Sequence, residues 1–430
     1  MTVSRLLYLA FLHPLSKYPG PKLWAITRVP WTYHVLNGDL WHSLDKFHDQ
    51  YGPVVRIAPD ELTYIVPEAW KDIYTAKPLL SKDPHSILPP PNGADSLFTA
   101  HGDNHKRTRG VLVNAFSARA LAEQSTIIED YARQFVRRLK DELNCSPSNI
   151  VDIHHILGLA TFDVISDLTW GESPKALQRV DNHDWIHKFF LQAQFSTLRN
   201  CLSRFSPLDN ILSYYFLRTN SKQRIANTNL TYERIHRRLA MGHARSDFMT
   251  PILGKISKDG PRDITEREVL TNGLSFIIAN SQLGTAAITT AIYLLLQNPY
   301  HLQRLAEEIR NAGFEREIDI TVTSTQTLTY LNSVINETLR LHHPSPVSLP
   351  RVTPKEGMIV AGGFVTGGSV VGVSLHNMHT RPENFSRPLE FHPERFFEKE
   401  DPKYDQSFSH DRLEAFQPFS TGPRNCIGQK

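Results

Sequence analysis

The chain has 430 residues, 40% hydrophobic and 21% charged, a balance that suits a folded globular protein and permits two or three domains without requiring them. Its 47 Lys and Arg against 44 Asp and Glu give a net charge of +3, too mild for a nucleic-acid footprint, so no nucleic-acid partner is expected. The three cysteines, Cys145, Cys201 and Cys426, lie far apart and form no Cys-x-x-Cys or Cys/His cluster, which excludes a disulfide framework and a structural zinc site and points to a reducing compartment.

The N-terminus reads RLLYLAFLHPLSKYPGPKL from Arg5 to Leu23, an apolar run of about ten residues followed by Pro14, Pro19 and Pro21. A bilayer span needs roughly 20 apolar residues, so the run is too short for one. It reads as the tail of a membrane anchor, a signal-type segment or a helix lying in the interface, with a packed N-terminal segment as the plain alternative. Residues 1–22 are taken as the remnant of an anchor and its proline-rich hinge. Next, VVRIAPDELTYIV (54–66) alternates β-rich runs around Pro59 and Asp60 and predicts a hairpin. PHSILPPPNGADS (84–96) is a proline-rich loop, and most of the remainder is helical.

From about Thr265 to Asn298 runs a proline-free helix, polar at its start and almost wholly apolar in its second half, as a helix crossing a protein interior must be. Asn298 and Pro299 form the cap and first turn of another, with Leu302, Leu305 and Ile309 on one face and Gly313 as its stop. A third, YLNSVINETLRLHHP, places Leu331, Val334, Ile335 and Leu341 on a buried stripe and ends before Pro344. On it Glu337 and Arg340 share one face. Downstream, FHPERF supplies Arg395, and two arginines on one carboxylate make a buried triad.

The final stretch, FQPFSTGPRNCIGQK, surrounds Cys426 with a specific set of residues. Gly422 and Gly428 permit positive φ or close approach of a flat ligand, Pro423 stiffens the loop, and Arg424 places a permanent cation two residues from the sulfur. Backbone N–H groups can hold the sulfur as thiolate while Phe419 shields it from water. These are the parts of a thiolate site for iron in a porphyrin.

The pattern Phe419-x-x-Gly422-x-Arg424-x-Cys426-x-Gly428, with Glu337-x-x-Arg340 and Pro393-Glu394-Arg395-Phe396 upstream, resembles the cytochrome P-450 family over nearly the whole chain. HPLSKYPGPKL and NETLRLHHP are most similar to its membrane-bound fungal members. The resemblance implies a mainly α fold with small β-sheets over residues 23–430 and haem b as cofactor. It implies Cys426 as axial ligand, Glu337, Arg340 and Arg395 as a structural triad, and Arg109, His105, Arg351 and Arg424 as partners of the haem propionates. His105 stands where the family commonly has tryptophan. The implied partners are an NADPH-cytochrome reductase carrying FAD and FMN, a small apolar substrate and a membrane surface, with the protein a monomer on the cytosolic face of the endoplasmic reticulum.

Two departures qualify the implied monooxygenase chemistry. Ala279-Asn280-Ser281-Gln282-Leu283-Gly284 occupies the stretch where the family usually carries Ala-Gly-x-(Asp/Glu)-Thr-Thr. Gln282 replaces the acid and Gly284 the relay threonine, leaving Thr285 and Asn280 as candidate proton routes. Thr285 lies about 100° further round the helix and serves only with a local distortion; otherwise it is packed or back-bonded. The alternatives are a haem-thiolate peroxygenase, isomerase or dehydratase. The other departure is that the sequence stops at Lys430, where the resemblance implies a further helix and strands. This suggests a C-terminally incomplete domain, and a truncated remnant binding haem weakly or not at all is the third alternative.

Overall fold

The computed structural model describes residues 3–429 except 88, 89, 91, 180–185, 187–193, 195, 206–208 and 258–262, and the side chains of 209–224 are also outside the description. Part of the proline-rich stretch and Lys430 therefore lie outside it; the described part of that stretch contains no helix or strand. The chain divides into two compact units, one from residues 1–87, 197–213 and 336–429, the other from 88–196 and 214–335. Both are mainly helical, and the strands lie in the first.

In the first unit a five-stranded sheet forms from β1 (Val54–Ala58), β2 (Glu61–Tyr64), β3 (Ser81–Lys82), β4 (Arg351–Val352) and β7 (Val370–Val373), in the order β1-β2-β7-β4-β3. β1 and β2 make the hairpin that the alternation around Pro59 predicts. β2 pairs in parallel with β7, some 300 residues later, a pairing that no local pattern announces. β5 (Met358–Val360) and β6 (Gly363–Val365) form a separate hairpin. Tyr64, Ile73, Val371, Val373, Met378 and Phe385 are fully buried together under the sheet. Leu15 joins this core, whereas Val3, Leu7, Phe11 and Leu12 of the N-terminal run are exposed. No helix among the described residues is long and apolar enough to cross a membrane.

Helices used below are α1 (Glu68–Tyr74), α2 (Gly102–Leu112), α3 (Ile153–Trp170), α4 (Glu266–Gln297), α5 (Pro299–Asn311), α6 (Thr329–Leu341) and α7 (Leu375–His379). α4 begins with a capping box in which the Thr265 hydroxyl accepts from the Glu268 N–H and the Glu268 carboxylate accepts from the Thr265 N–H. Its boundaries match the sequence expectation, but the role of Asn298 differs. The Asn298 side chain donates to the Leu294 carbonyl at 2.8 Å, closing α4 and making no side-chain cap on α5. Leu305 is buried on α5, while Leu302 and Ile309 stay exposed at the margin of that face.

The stripe expected on α6 holds at Val334 and Leu341 and is corrected at the others, Leu331 being half-buried and Ile335 exposed. The face that is buried carries Ser333, Val334, Glu337, Thr338, Arg340 and Leu341. Burial here follows the charged pair, whose hydrogen-bond partners lie on that side. In the second unit α4 packs against α3 through small residues: Thr285 lies at Gly158 and Gly284 at Thr161, each near 4 Å from the glycine's Cβ position.

Candidate functional site

The segment leading to the cysteine is organised by a buried charge network. Glu337 Oε1 accepts from Arg340 Nη2 at 2.8 Å, Arg395 Nε at 3.1 Å and the His392 N–H at 2.9 Å, while Oε2 accepts from Arg340 Nε at 2.7 Å. Arg340 and Arg395 spend their remaining donors on the carbonyls of His379, Pro388, Glu390 and Ser386. All three charged side chains are fully buried. The expected triad has a fourth member: Asp411 pairs with Arg395 and accepts from the Ser386 N–H at 2.7 Å. Two guanidiniums on one carboxylate would leave a buried positive charge, so a second acid was required, and Asp411 supplies it. That charge deficit was the signal available in the sequence; no periodic pattern pointed to Asp411.

Beyond this network the chain turns into the cysteine loop. The Cys426 N–H donates to the Phe419 carbonyl at 2.8 Å, closing residues 419–426 into a ring. Ser420 has φ +59° and Gly422 φ +79°, both left-handed. A Cβ on Gly422 would lie 2.4 Å from the Tyr74 carbonyl oxygen at the end of α1. Gly422 thus takes the positive φ expected as one of its two roles, and the close approach it permits is to a protein backbone. Gly428 lies in the turn after the cysteine, Cys426 is exposed and Phe419 half-buried, so the ring of Phe419 does not by itself shield the sulfur.

Two arginines converge on the same loop. Arg424 Nη1 donates to the Leu80 carbonyl at 2.5 Å and its buried Nε has no partner. Arg351, at the start of β4, is buried, donates to the Pro350 carbonyl and stacks over the Tyr74 ring at 5.2 Å. Burial pushes both guanidinium pKa values down, and Arg424 lowers that of Arg351 further. Neither has a carboxylate partner among the described residues. A thiol in a constrained loop beside two desolvated, unneutralised cations fits a soft metal carried on a group with two carboxylates.

In the second unit, α2 places His105 and Arg109 one turn apart, His105 buried and Arg109 half-buried. Between them Arg107 binds the Glu268 carboxylate, so part of this basic segment fixes the start of α4. On α4, Thr285 is buried and its hydroxyl donates to the Ser281 carbonyl at 2.6 Å. The same hydroxyl lies 2.6 Å from the Thr161 hydroxyl of α3, a contact that no local pattern announces. Asn280 is exposed and donates to the Phe276 carbonyl at 3.0 Å; Gln282 is exposed. α4 therefore does not bring Thr285, Asn280 and Gln282 into one hydrogen-bonded group.

Comparison with known proteins identifies the family. The family model for cytochrome P450 matches residues 18–430. Averantin hydroxylase of Dothistroma septosporum is 35% identical over 430 residues, covering 100% of this chain and 79% of that protein. The cytochrome P450 monooxygenase stcF of Emericella nidulans is 38% identical over 434 residues, covering 100% and 86%. Averantin hydroxylase of Aspergillus parasiticus is 36% identical over 428 residues, covering 99% and 84%.

Proposed function

The chain belongs to the cytochrome P450 family and is an oxidoreductase of the monooxygenase type, and on that premise we propose that it hydroxylates a small apolar substrate of fungal secondary metabolism using haem b held on Cys426. The observation that carries this reading is the juxtaposition of the constrained Cys426 loop with buried Arg351 and half-buried Arg424, two partly desolvated cations without a carboxylate partner among the described residues. Haem iron, when bound, supplies dioxygen activation and transfer of one oxygen atom to substrate.

The chain's own residues divide the remaining work. Cys426 presents the sulfur, and Arg351 and Arg424 neutralise the propionates. Exposed Ile278 and Leu283 on α4 favour an apolar substrate, and hydroxylation is the reaction named in two of the relatives. Electrons come from NADPH through a reductase carrying FAD and FMN. Exposed Val3, Leu7, Phe11 and Leu12, with Lys17 and Lys22 following, support docking on a membrane, assigned to the cytosolic face of the endoplasmic reticulum.

Proton delivery departs from the family pattern. Thr285 is held by Ser281 and Thr161, and Gly284 has no hydroxyl, so the wild-type enzyme is expected to couple reducing equivalents to product poorly. This chemistry also favours a peroxide-dependent second reading, which needs no such relay. The test is the absorption spectrum of the reduced, carbon-monoxide-bound full chain, followed by NADPH and dioxygen consumption. A thiolate-type spectrum that Cys426→Ser abolishes supports the site. Haem binding unaffected by Cys426→Ser refutes it, and turnover with peroxide but never with NADPH and reductase selects the second reading.

A further inference from the structure

Four consecutive residues before the cysteine loop are each held by a side chain of the first unit. Trp70 Nε1 of α1 donates to the Ala415 carbonyl at 3.2 Å. The Phe416 ring packs on those of His379, at 5.2 Å, and Phe396, at 4.8 Å. The Gln417 N–H points at His379 Nε2, 3.4 Å away. Finally, His343 Nε2 lies 2.7 Å from the Pro418 carbonyl. Phe419, whose own carbonyl receives the Cys426 N–H, comes next.

The tautomer of His343 follows from Nε2, which faces the Pro418 carbonyl, an oxygen that can only accept. In the neutral ring the proton therefore sits on Nε2 and is donated to Pro418, and Nδ1, 3.0 Å from the Ser345 N–H and 2.8 Å from the Ser345 carbonyl, accepts from the N–H. Burial lowers the His343 pKa, which favours this neutral form. The ring lies just past the end of α6, the helix whose Glu337 and Arg340 anchor the charge network, and Arg340 in turn donates to the His379 carbonyl. His343 and His379 therefore join the rigid network to the root of the loop.

We propose that His343 is a positioning residue for the iron-ligating thiolate: its Nε2–H fixes the Pro418 carbonyl and so the point from which the Phe419–Cys426 ring is hung. His379 acts beside it on the preceding peptide, through the longer contact. Neither histidine touches the sulfur; both set where the loop starts. The proposal rests on the haem-thiolate reading of Cys426. Removing the donor leaves a buried carbonyl unsatisfied and lets the loop root shift, so the sulfur leaves the iron more readily.

The experiment compares wild type, His343→Leu, His343→Gln and Cys426→Ser as full-length, haem-loaded proteins. The readouts are the rate at which the reduced carbon-monoxide complex loses its thiolate spectrum at fixed pH, and unfolding followed by circular dichroism. His343→Leu is expected to lose the thiolate spectrum about tenfold faster, the equivalent of one hydrogen bond to a buried carbonyl. His343→Gln, whose amide can still donate, should recover most of that factor. A rate in His343→Leu equal to wild type overturns the proposal, as does an acceleration that His343→Gln does not relieve or that tracks a matching fall in unfolding stability. Absence of any thiolate spectrum in wild type refutes the site reading itself and the proposal with it.

Discussion

The network around Glu337 and the Arg351–Arg424 pair lie in the same unit and use the same side-chain chemistry, but only one of them balances. Arg340 and Arg395 face two carboxylates and a set of carbonyls, all buried. Arg351 and Arg424 are partly drawn out of water beside one another, with carbonyls and the Tyr74 ring for company and no carboxylate among the described residues. A folded chain keeps desolvated charges only where a partner repays the loss of hydration. The balanced group is therefore complete as a piece of the fold, and the unbalanced one is complete only with an anion that no described residue provides.

Substitutions in the balanced group should have the largest effects. Glu337→Gln strips the shared anion from two buried guanidiniums and is expected to destabilise by about 3–5 kcal/mol, read by chemical denaturation. Asp411→Asn removes the outer anion and should destabilise by about 2–3 kcal/mol, showing the group to be a foursome; a negligible change would return it to a triad.

Acid sharpens the comparison by adding positive charge next to the network. His376 is pushed down to about 4, first by burial and then by His342, with Arg340 a smaller cause. Its folded pKa lies below the unfolded value, so the unfolded chain binds more protons and stability falls as pH drops below about 6.5, levelling near 4. The loss is about 2 kcal/mol by pH 5 and should vanish in His376→Phe, compared by denaturation at both pH values.

Gly422→Ala should destabilise by about 1–3 kcal/mol, because its Cβ meets the Tyr74 carbonyl at a left-handed φ. The smallest stability effect is expected from Gly284→Thr, whose Cβ would make only an ordinary contact with Thr161. It should nevertheless raise the fraction of NADPH that ends in product and lower released peroxide; tight coupling in wild type would contradict the assigned weakness of this helix.

Legibility in the sequence followed the range of the interactions. α4 was readable to its ends because Thr265, Glu268 and Pro299 act on neighbouring backbone. Glu337, Arg340 and Arg395 were readable because a helix face and a short motif present them together. Asp411 and the His343 clasp were not, since each acts on a segment that no local spacing or motif ties to it. Ile335 misled because the helix buries its charged side, a choice made by the network and invisible to hydrophobic spacing. The parallel pairing of β2 with β7 was hidden for the same reason.

The most direct test of the difference between the two groups is haem retention in an Arg351→Leu, Arg424→Leu double variant, measured as transfer to excess apomyoglobin alongside unfolding of the haem-free chains. Haem-free stability is expected within about 1 kcal/mol of wild type, since no internal ion pair is broken, and haem loss faster by about 100-fold. Haem retained as in wild type, with the haem-free chain strongly destabilised, would show that these arginines serve the fold and that the unbalanced pair is no anion site.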